Sequence, residues 1–136
     1  MIAIDSIQKA LGPLFPGLMG VQLVEVTPEK VVAKMVVRPD LCTTRKSIHG
    51  GALMAFADTL GAVGTFVNLP KGAATTTIES KTNFIAGAAE GTTITGESTP
   101  FHRGRKTMVW QTQIRNEAGK LCAVVSQTQL VIPPRE

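Results

Sequence analysis

HGGALMAFADTLGAVGTFV, residues 49–67, is the stretch of sequence that decides the fold. Its apolar residues recur at the helical period and fall within about 120° of one another, which predicts a helix of roughly 17 residues over 51–67. These residues are Leu53, Phe56, Ala57, Leu60, Val63, Gly64 and Val67. The breakers in Asn68-Leu69-Pro70-Lys71-Gly72 end the helix.

Strands are predicted on both sides of this helix. Between Val31 and Val37 every second residue is apolar, as on the buried face of a strand. This indicates a strand that ends before Pro39. Four further strand-like runs follow the helix, and Asn116-Glu117-Ala118-Gly119 is a typical hairpin turn between the last two. The four runs are 75–85, 92–99, 106–115 and 121–132.

The order of the elements predicts the fold class. A short amphipathic helix is expected over about residues 3–12, where Ile4, Ile7 and Leu11 recur at helical spacing. One strand, one long helix and four strands (β-α-β-β-β-β) favour a largely antiparallel sheet that curls around the long helix. A chain of 136 residues is the size of one domain, so we predict a single α+β domain over 1–136, with its core over about 20–132.

Composition narrows the class of protein. Hydrophobic residues make up 43% of the chain and charged residues 18%, which favours burial of some surface in a homo-oligomer, a dimer or a dimer of dimers. The N-terminus does not resemble a signal peptide, and no run approaches the roughly 20 apolar residues of a membrane span. Cys42 and Cys122 lack metal-ligand spacing and are expected to be free thiols. We therefore expect a cytoplasmic protein with no membrane partner, no bound metal and no cofactor.

The net charge of +4 has one local concentration, His102-Arg103-Gly104-Arg105-Lys106. Apart from Phe101, the cluster lacks aromatic neighbours that could stack on bases, so nucleic acid is not the expected partner. A single phosphate-bearing ligand suits this cluster better.

Asp58 stands out in the long helix. It and His49 are the only ionisable residues between Lys46 and Lys71, and the helix face around Asp58 carries no Lys, Arg or Glu. That face holds Met54, Ala55, Gly61, Ala62, Thr65 and Phe66. Both sides of the helix are therefore expected to be covered, with small residues admitting another backbone or a slim ligand. Asp58 is then either a poorly solvated base or nucleophile, or an acid held by a polar neighbour at a dimer seam.

The start of the helix is the second candidate feature. Gly50 and Gly51 leave room for a ligand, and the first amides of a helix are unpaired donors at the positive end of its dipole, so they could bind an oxyanion or serve tight packing. Eight residues separate Gly50 from Asp58, which is about 12 Å of helix and too far for both to touch one carbonyl. Two helices packed antiparallel across a two-fold axis would bring Gly50 of one chain to Asp58 of the other.

His49-Gly50-Gly51, an acid that follows on the same helix after six intervening residues, and the Gly104-Arg105-Lys106 strand start occur together and in order. In this the chain resembles the hotdog-fold thioesterases, in particular the phenylacetate-degradation type and its 4-hydroxybenzoyl-CoA thioesterase relatives. The resemblance extends from about Val31 to Ile132. It implies the hotdog fold and an acyl-CoA thioesterase acting on an aromatic or medium-chain acyl group.

The resemblance also implies roles for individual residues. The amide of Gly50, with possible help from Gly51, would polarise the thioester carbonyl, and Asp58 of the partner chain would attack it or activate a water. His49 would shape the oxyanion end or simply bond to backbone. Thr77 is similar to a family hydroxyl that orients the water, although a plain strand threonine is the alternative.

The coenzyme A end follows from the same resemblance. Arg103, Arg105 and Lys106 look like the basic strand start that meets the nucleotide, with Gly104 and Thr107 offering backbone and hydroxyl contacts; a solvated hairpin is the alternative. The strand that follows contributes Met108, Trp110 and Ile114, which we expect in the core.

Thr43 departs from the family pattern. Fifteen residues before the acid, family members often carry an Asn or Gln that contacts the thioester, and here a shorter hydroxyl stands in that place. Two other functions stay open at this point: a hotdog hydratase or dehydratase, and a non-catalytic acyl-CoA-binding module. The sequence does not name the acyl group.

Overall fold

The predicted long helix, α3, spans Gly50–Phe66 and packs on a six-stranded antiparallel sheet. The structure is a computed structural model in which residues 4–135 are described. Two shorter helices, α1 (Ile4–Leu11) and α2 (Phe15–Met19), precede the sheet. No helix within the described residues combines the length and the apolar character needed to cross a membrane.

Residues 4–135 form eight strands, and every strand pair among them is antiparallel. They are β1 (Gln22–Thr27), β2 (Lys30–Val36), β3 (Cys42–Thr43), β4 (Ser47–Ile48), β5 (Ala74–Phe84), β6 (Thr93–Arg103), β7 (Thr107–Arg115) and β8 (Leu121–Ile132). The main sheet has the order β1-β2-β6-β7-β8-β5, and β3 and β4 form a separate two-stranded ribbon just before α3. The strand that follows α3 in sequence, β5, is therefore an edge strand of the sheet.

The curl of the sheet around α3 places the core between them. Phe56, Leu60 and Trp110 are fully buried. Glycines permit the close approach: a Cβ at Gly96 would lie 2.8 Å from the Phe56 ring, and one at Gly64 would lie 2.6 Å from Trp110. The sheet backbone and the helix backbone are thus in contact with large side chains of the opposite layer.

The structure confirms the predicted fold class and adds the helix α2, the strand β1 and the two short strands β3 and β4. The long helix, the first short helix and the five predicted strands are present, although residue 3 of the predicted first helix lies outside the described residues. The strand β1 and the helix α2 were not predicted, so the main sheet has the order β-β-α-β-β-β-β along the chain. In β1 a register shift between Leu23 and Glu25 breaks the alternation, and α2 contains Pro16 and Gly17, which suggest a loop.

Candidate active site

Asp58 lies in the middle of α3, half-buried, and it is bound by side chains of its own chain. Its Oδ1 accepts a hydrogen bond from Thr77 Oγ1 at 2.6 Å and another from Gln127 Nε2 at 3.0 Å. Thr77 comes from the edge strand β5 and Gln127 from its neighbour β8. The structure therefore brings together two predicted site residues, Asp58 and Thr77. Gln127, which was not predicted, also contacts Asp58.

Two glutamines on β8 complete a buried polar network. Gln127 and Gln129 occupy inward-facing positions of the strand and are 1% and 0% exposed. Gln129 Nε2 donates to Thr77 Oγ1 at 2.6 Å, and Gln129 Oε1 accepts from Thr75 Oγ1 at 3.0 Å. The sequence did carry a signal for them, because polar residues stand where the alternation of β8 calls for apolar ones.

A backbone irregularity lies beside this network. Thr77 pairs with Gln129, but the next pair is Glu79 with Thr128, so Ile78 is an extra residue in β5. Bulges of this kind bend a strand and change the direction of neighbouring side chains. Ile78 itself is turned out and 57% exposed, while Thr77 stays on the inner face.

Gly61 makes room for one of the glutamines. A Cβ at this position would overlap the Gln127 amide group. The sequence suggested that small residues on this face admit another backbone or a ligand. At Gly61 the space is instead filled by a side chain of the same chain, which can thereby reach Asp58.

The start of α3 distinguishes the two glycine amides. His49 is the N-cap residue, and its Nδ1 accepts from the Gly51 amide at 2.7 Å, so this imidazole is exposed and bonded to backbone. The Gly50 amide has no acceptor within residues 4–135. The Phe84 ring lies against Gly50, where a Cβ would be 3.0 Å from it. Of the two candidate oxyanion donors, Gly50 is the one left available.

An apolar cavity of about 470 Å³ opens beside Asp58. The N-terminal helices contribute Leu11, Phe15 and Pro16 to its wall, and α3 contributes Ala62, Val63 and Phe66. A second cavity of about 380 Å³ lies at the start of α3, and the two share Phe15 and Ala55. The carboxylate thus borders space that suits a hydrophobic group.

Polar groups also line the cavity at the helix start. Arg38 and Asp40 form an ion pair there, and the hydrogen bond from Arg38 lowers the pKa of the Asp40 carboxyl. Cys42 lines the same cavity, and Cys122 lies in the core; both are free thiols, as predicted, and burial raises the pKa of each. Thr43 is exposed and pairs with Ser47 in the ribbon that leads into α3, so it belongs to the helix-start region.

The basic hairpin, residues 103–107 between β6 and β7, lies near the C-terminal end of α3. Arg103, together with Gly104 and Arg105, borders a cleft with Asn68 and Pro70, which follow the helix. Arg103 Nη1 donates to Pro28 O at 3.2 Å and lies 3.7 Å from a Glu29 carboxylate oxygen. This residue is therefore already engaged within the chain.

The remaining predicted coenzyme A residues differ in their availability. The Gly104 amide donates to Thr107 O at 2.9 Å, which closes the turn. Arg105 and Lys106 are exposed, and within residues 4–135 their side chains form no ion pair or hydrogen bond. These two cations are the ones available to an anionic ligand.

A long helix against a curled antiparallel sheet, with a short helix before it, is the architecture of the hotdog fold. Residues 46–123 match the family model of the Thioesterase superfamily, and the chain belongs to this family. The matched residues include His49, Gly50, Asp58, Thr77 and the basic hairpin. The resemblance drawn from the sequence is thus confirmed, and the chain is a thioester hydrolase.

Individual relatives agree with the family. A Deinococcus radiodurans protein named as a candidate esterase is 32% identical over 126 residues, 89% of this chain and 78% of its own length. The Haemophilus influenzae thioesterase HI1161 superposes with a TM-score of 0.93 at 24% identity, covering 100% of this chain and 94% of that one. The Escherichia coli PaaI protein of the phenylacetic acid degradation operon superposes at 0.85 with 22% identity, over 96% and 91%.

A further relative bears a substrate name. The Escherichia coli 1,4-dihydroxy-2-naphthoyl-CoA hydrolase is 29% identical over 85 residues, 62% of this chain and 62% of its own length. The two solved structures are similar to this chain in fold.

Proposed function

We propose that this chain hydrolyses the thioester of an aromatic or medium-chain acyl-CoA, with Asp58 as the working carboxylate and the Gly50 amide of a second copy as the oxyanion donor. One observation carries the proposal: the half-buried Asp58 is held by Thr77 and Gln127 at the edge of an apolar cavity. A carboxylate without a cationic partner, fixed next to hydrophobic space, suits attack on an acyl carbonyl.

The chemistry has two possible first steps. As a base, Asp58 takes a proton from water while the water oxygen bonds to the thioester carbonyl carbon; the carbon–sulfur bond then breaks, and the thiolate receives the proton. As a nucleophile, the carboxylate itself bonds to that carbon, coenzyme A leaves as thiolate, and water hydrolyses the resulting anhydride. In both, the carbonyl oxygen becomes an oxyanion that an unpaired amide stabilises.

The distance between acid and amide supports a site made of two chains. Gly50 and Asp58 are separated by about 12 Å of helix, whereas a hydrogen bond to a reacting atom spans about 3 Å. Within residues 4–135, no strand pairs with the outer edge of β5. The exposed apolar residues Ile78 and Phe84 lie in this strand, and Ile85 follows it. A second copy paired along β5 would cover them, which supports a homodimer, alone or as part of a dimer of dimers.

The two ends of the substrate would meet different surroundings. The cavity of Leu11, Phe15 and Phe66 is apolar and suits the acyl group. The free cations Arg105 and Lys106, near the C-terminal end of α3, suit the phosphates of coenzyme A, with Gly104 and Thr107 shaping the turn. Arg103 would brace this hairpin through Glu29 rather than bind phosphate.

The naphthoyl-CoA substrate of the Escherichia coli relative supports the aromatic option for this chain. Thr43 would meet the thioester less well than a longer amide, since its hydroxyl has a shorter reach. We expect neither a metal nor a cofactor in the reaction, and a cytoplasmic location accords with the free thiols.

Thiol release from a panel of aromatic and aliphatic acyl-CoAs tests the proposal. We expect turnover with the wild type and a loss of at least about 100-fold in Asp58→Asn, the effect of removing a positioned acid-base group. Binding of a non-hydrolysable thioether analogue should persist in this variant. Asp5→Asn, at an exposed acid of α1, is the matched control. If Asp58→Asn loses neither turnover nor binding, Asp58 is not the working group; if the wild type binds every acyl-CoA and hydrolyses none, the chain is a binding module.

A single turnover in ¹⁸O-labelled water detects the nucleophilic route when water attacks the anhydride at the Asp58 carbonyl. With enzyme in excess, a general base gives product acid carrying one ¹⁸O atom. The anhydride route, hydrolysed at the Asp58 carbonyl, gives unlabelled product acid and leaves ¹⁸O in Asp58.

A further inference from the structure

The two oxygens of the Asp58 carboxylate have different surroundings. Oδ1 accepts from Thr77 Oγ1 at 2.6 Å and from Gln127 Nε2 at 3.0 Å. Oδ2 has no hydrogen-bond partner within residues 4–135. A carboxylate held through one oxygen by two donors cannot exchange its oxygens by rotation without breaking both bonds, so the chain distinguishes them.

The carboxylate fixes the direction of every bond behind it. An ionised Asp58 can only accept, so the single hydroxyl proton of Thr77 must point at Oδ1. Thr77 Oγ1 must then accept from Gln129, which places the Gln129 Nε2 group on Thr77 and its Oε1 on Thr75. Gln127 Nε2 is fixed in the same way, because it faces Asp58 Oδ1 and, at 3.4 Å, the Asp58 carbonyl oxygen.

Stability alone gives no reason for these two glutamines. Both are fully buried, and transfer of an amide into the core is unfavourable unless its polar atoms are bonded. Gln127 Oε1 has no partner, so this side chain keeps its contact with Asp58 while one acceptor stays unsatisfied. Apolar side chains at these positions would fit the inner face of β8 without that cost.

We propose that Gln127 and Gln129 are positioning residues for hydrolysis, and that Asp58 Oδ2 is the oxygen that acts on the water or the thioester. Gln127 holds Asp58 directly, and Gln129 acts through Thr77. The inference rests on the proposed function of Asp58. Both glutamines lie beyond residues 46–123, the part of the chain that matches the family model.

Steady-state kinetics of Gln127→Met and Thr77→Val provide the first test. Each removes one donor to Oδ1 at nearly constant side-chain volume, and we expect kcat to fall about 10- to 100-fold, the scale of a misplaced reacting group. The affinity for a non-hydrolysable thioether analogue should stay unchanged. Thr77→Ser keeps the hydroxyl and should restore most of kcat. Thr112→Val is the matched control, since it removes a buried hydroxyl bonded to Ser98 outside the Asp58 network and should leave kcat unchanged.

A double-variant comparison separates positioning from general packing. Because Gln129 reaches Asp58 only through Thr77, Gln129→Met should lower kcat in the wild-type background and cause no further loss in Thr77→Val. A purely structural role predicts losses that multiply, which would overturn the assignment of Gln129. Unchanged kcat in Gln127→Met would overturn that of Gln127.

Gly61→Ala reaches the same contact without removing a polar group. Its Cβ would overlap the Gln127 amide and displace it from Asp58, while alanine keeps the helix. Should Gln127→Met fail to fold, a loss of kcat in folded Gly61→Ala supports the proposal, and full activity contradicts it. An inactive wild type refutes the proposed function itself, whereas an active wild type with active Gln127 and Gly61 variants refutes the positioning role alone.

Discussion

The middle and the start of α3 differ in how far their polar groups are hydrogen-bonded within one chain. In the middle, Asp58 has two hydrogen-bond donors from neighbouring strands, and one of these donors, Thr77, is itself bonded by Gln129. At the start, the Gly51 amide is bonded to His49, but the Gly50 amide has no acceptor among the described residues. One chain therefore holds the Asp58 carboxylate with its own side chains, whereas the Gly50 amide is left free to bind an anion.

Exposed apolar residues lie on both α3 and β5. Met54 and Phe66 on α3, and Ile78 and Phe84 on β5, are exposed, and Phe84 lies against Gly50 at the start of the helix. A second copy that covers these residues would bring its own Asp58 to the vacant amide. Each of the following experiments tests either the independence of the two regions or their meeting across chains.

The largest effect is expected from Gly50→Pro. Proline at the first helical position removes the amide hydrogen and adds a ring that is compatible with the helix start. His49 before it already has φ −68° and ψ 136°, which a residue preceding proline adopts readily. Loss of one oxyanion donor should lower kcat about 10²- to 10³-fold. Gly50→Ala adds a Cβ against Phe84 but keeps the amide, so its kcat should fall far less. Equal losses in the two variants would mean that crowding, not the amide, matters.

Mixed dimers test whether acid and amide meet across chains. Gly50→Pro and Asp58→Ala chains are each expected to be nearly inactive, and co-refolding them should restore about a quarter of wild-type activity. Half of randomly formed dimers are mixed, and each holds one intact site. Mass spectrometry must first verify that mixed dimers form; if they do and activity stays at the parental level, the site lies within one chain.

Met54→Cys tests the geometry of the same arrangement. Met54 lies midway between Gly50 and Asp58, so antiparallel helices that join these two residues place both copies of Met54 at the two-fold axis. Mild oxidation should give a disulfide-linked dimer on a non-reducing gel. Phe66→Cys is the control on the same face, because its two copies would be about 36 Å apart along the helices. Cys42 and Cys122 should contribute little, since burial raises the pKa of both thiols.

His49→Ala addresses the stability of the helix start. Removing the imidazole deprives the Gly51 amide of its acceptor, and loss of an N-cap side chain lowers the free energy of unfolding by about 1 kcal/mol. Urea unfolding measures this change, with His102→Ala, the other histidine, as the comparison. An unchanged unfolding free energy would indicate that water replaces the cap without loss.

The smallest effect on kcat is expected at the basic hairpin. The double substitution of Arg105 and Lys106 by Ala should raise KM for acyl-CoA by up to about 30-fold with kcat unchanged, since exposed charge contacts contribute up to about 1 kcal/mol each. The increase should shrink at high salt. Arg115→Ala, an exposed arginine at the far end of β7, should leave KM unaltered. A fall in kcat instead would place the hairpin closer to the chemistry than proposed.

Much of the fold could be predicted from the sequence, because period and turn chemistry are local properties. The long helix and β8 were found with nearly their observed limits. The edge strand β1 was missed because one of its faces meets solvent irregularly, and α2 because its proline and glycine are typical of loops as well as of a short helix.

The candidate site was predictable where the chemistry is unusual and hidden where it depends on register. Asp58 was conspicuous as a lone acid, and Thr77 entered with the family resemblance. The contact of Gln127 with Asp58 depends on which residues of β5 and β8 pair, on the bulge at Ile78 and on the space at Gly61. No local pattern encodes these long-range relations, although two glutamines on an inward-facing strand side were a visible anomaly.

At Gly61 and Gly64 the intrinsic stability of helix α3 and its packing on the sheet conflict. Each glycine inside a helix lowers helix stability by about 1 kcal/mol relative to alanine, so a protein engineer seeking heat resistance would replace both. At Gly64 the new methyl group would collide with the buried Trp110, and at Gly61 with Gln127. Because such overpacking costs about 1–3 kcal/mol, a design that selects substitutions by helix propensity alone would fail at both positions, and Gly61→Ala would in addition displace the amide that supports Asp58, the proposed catalytic carboxylate.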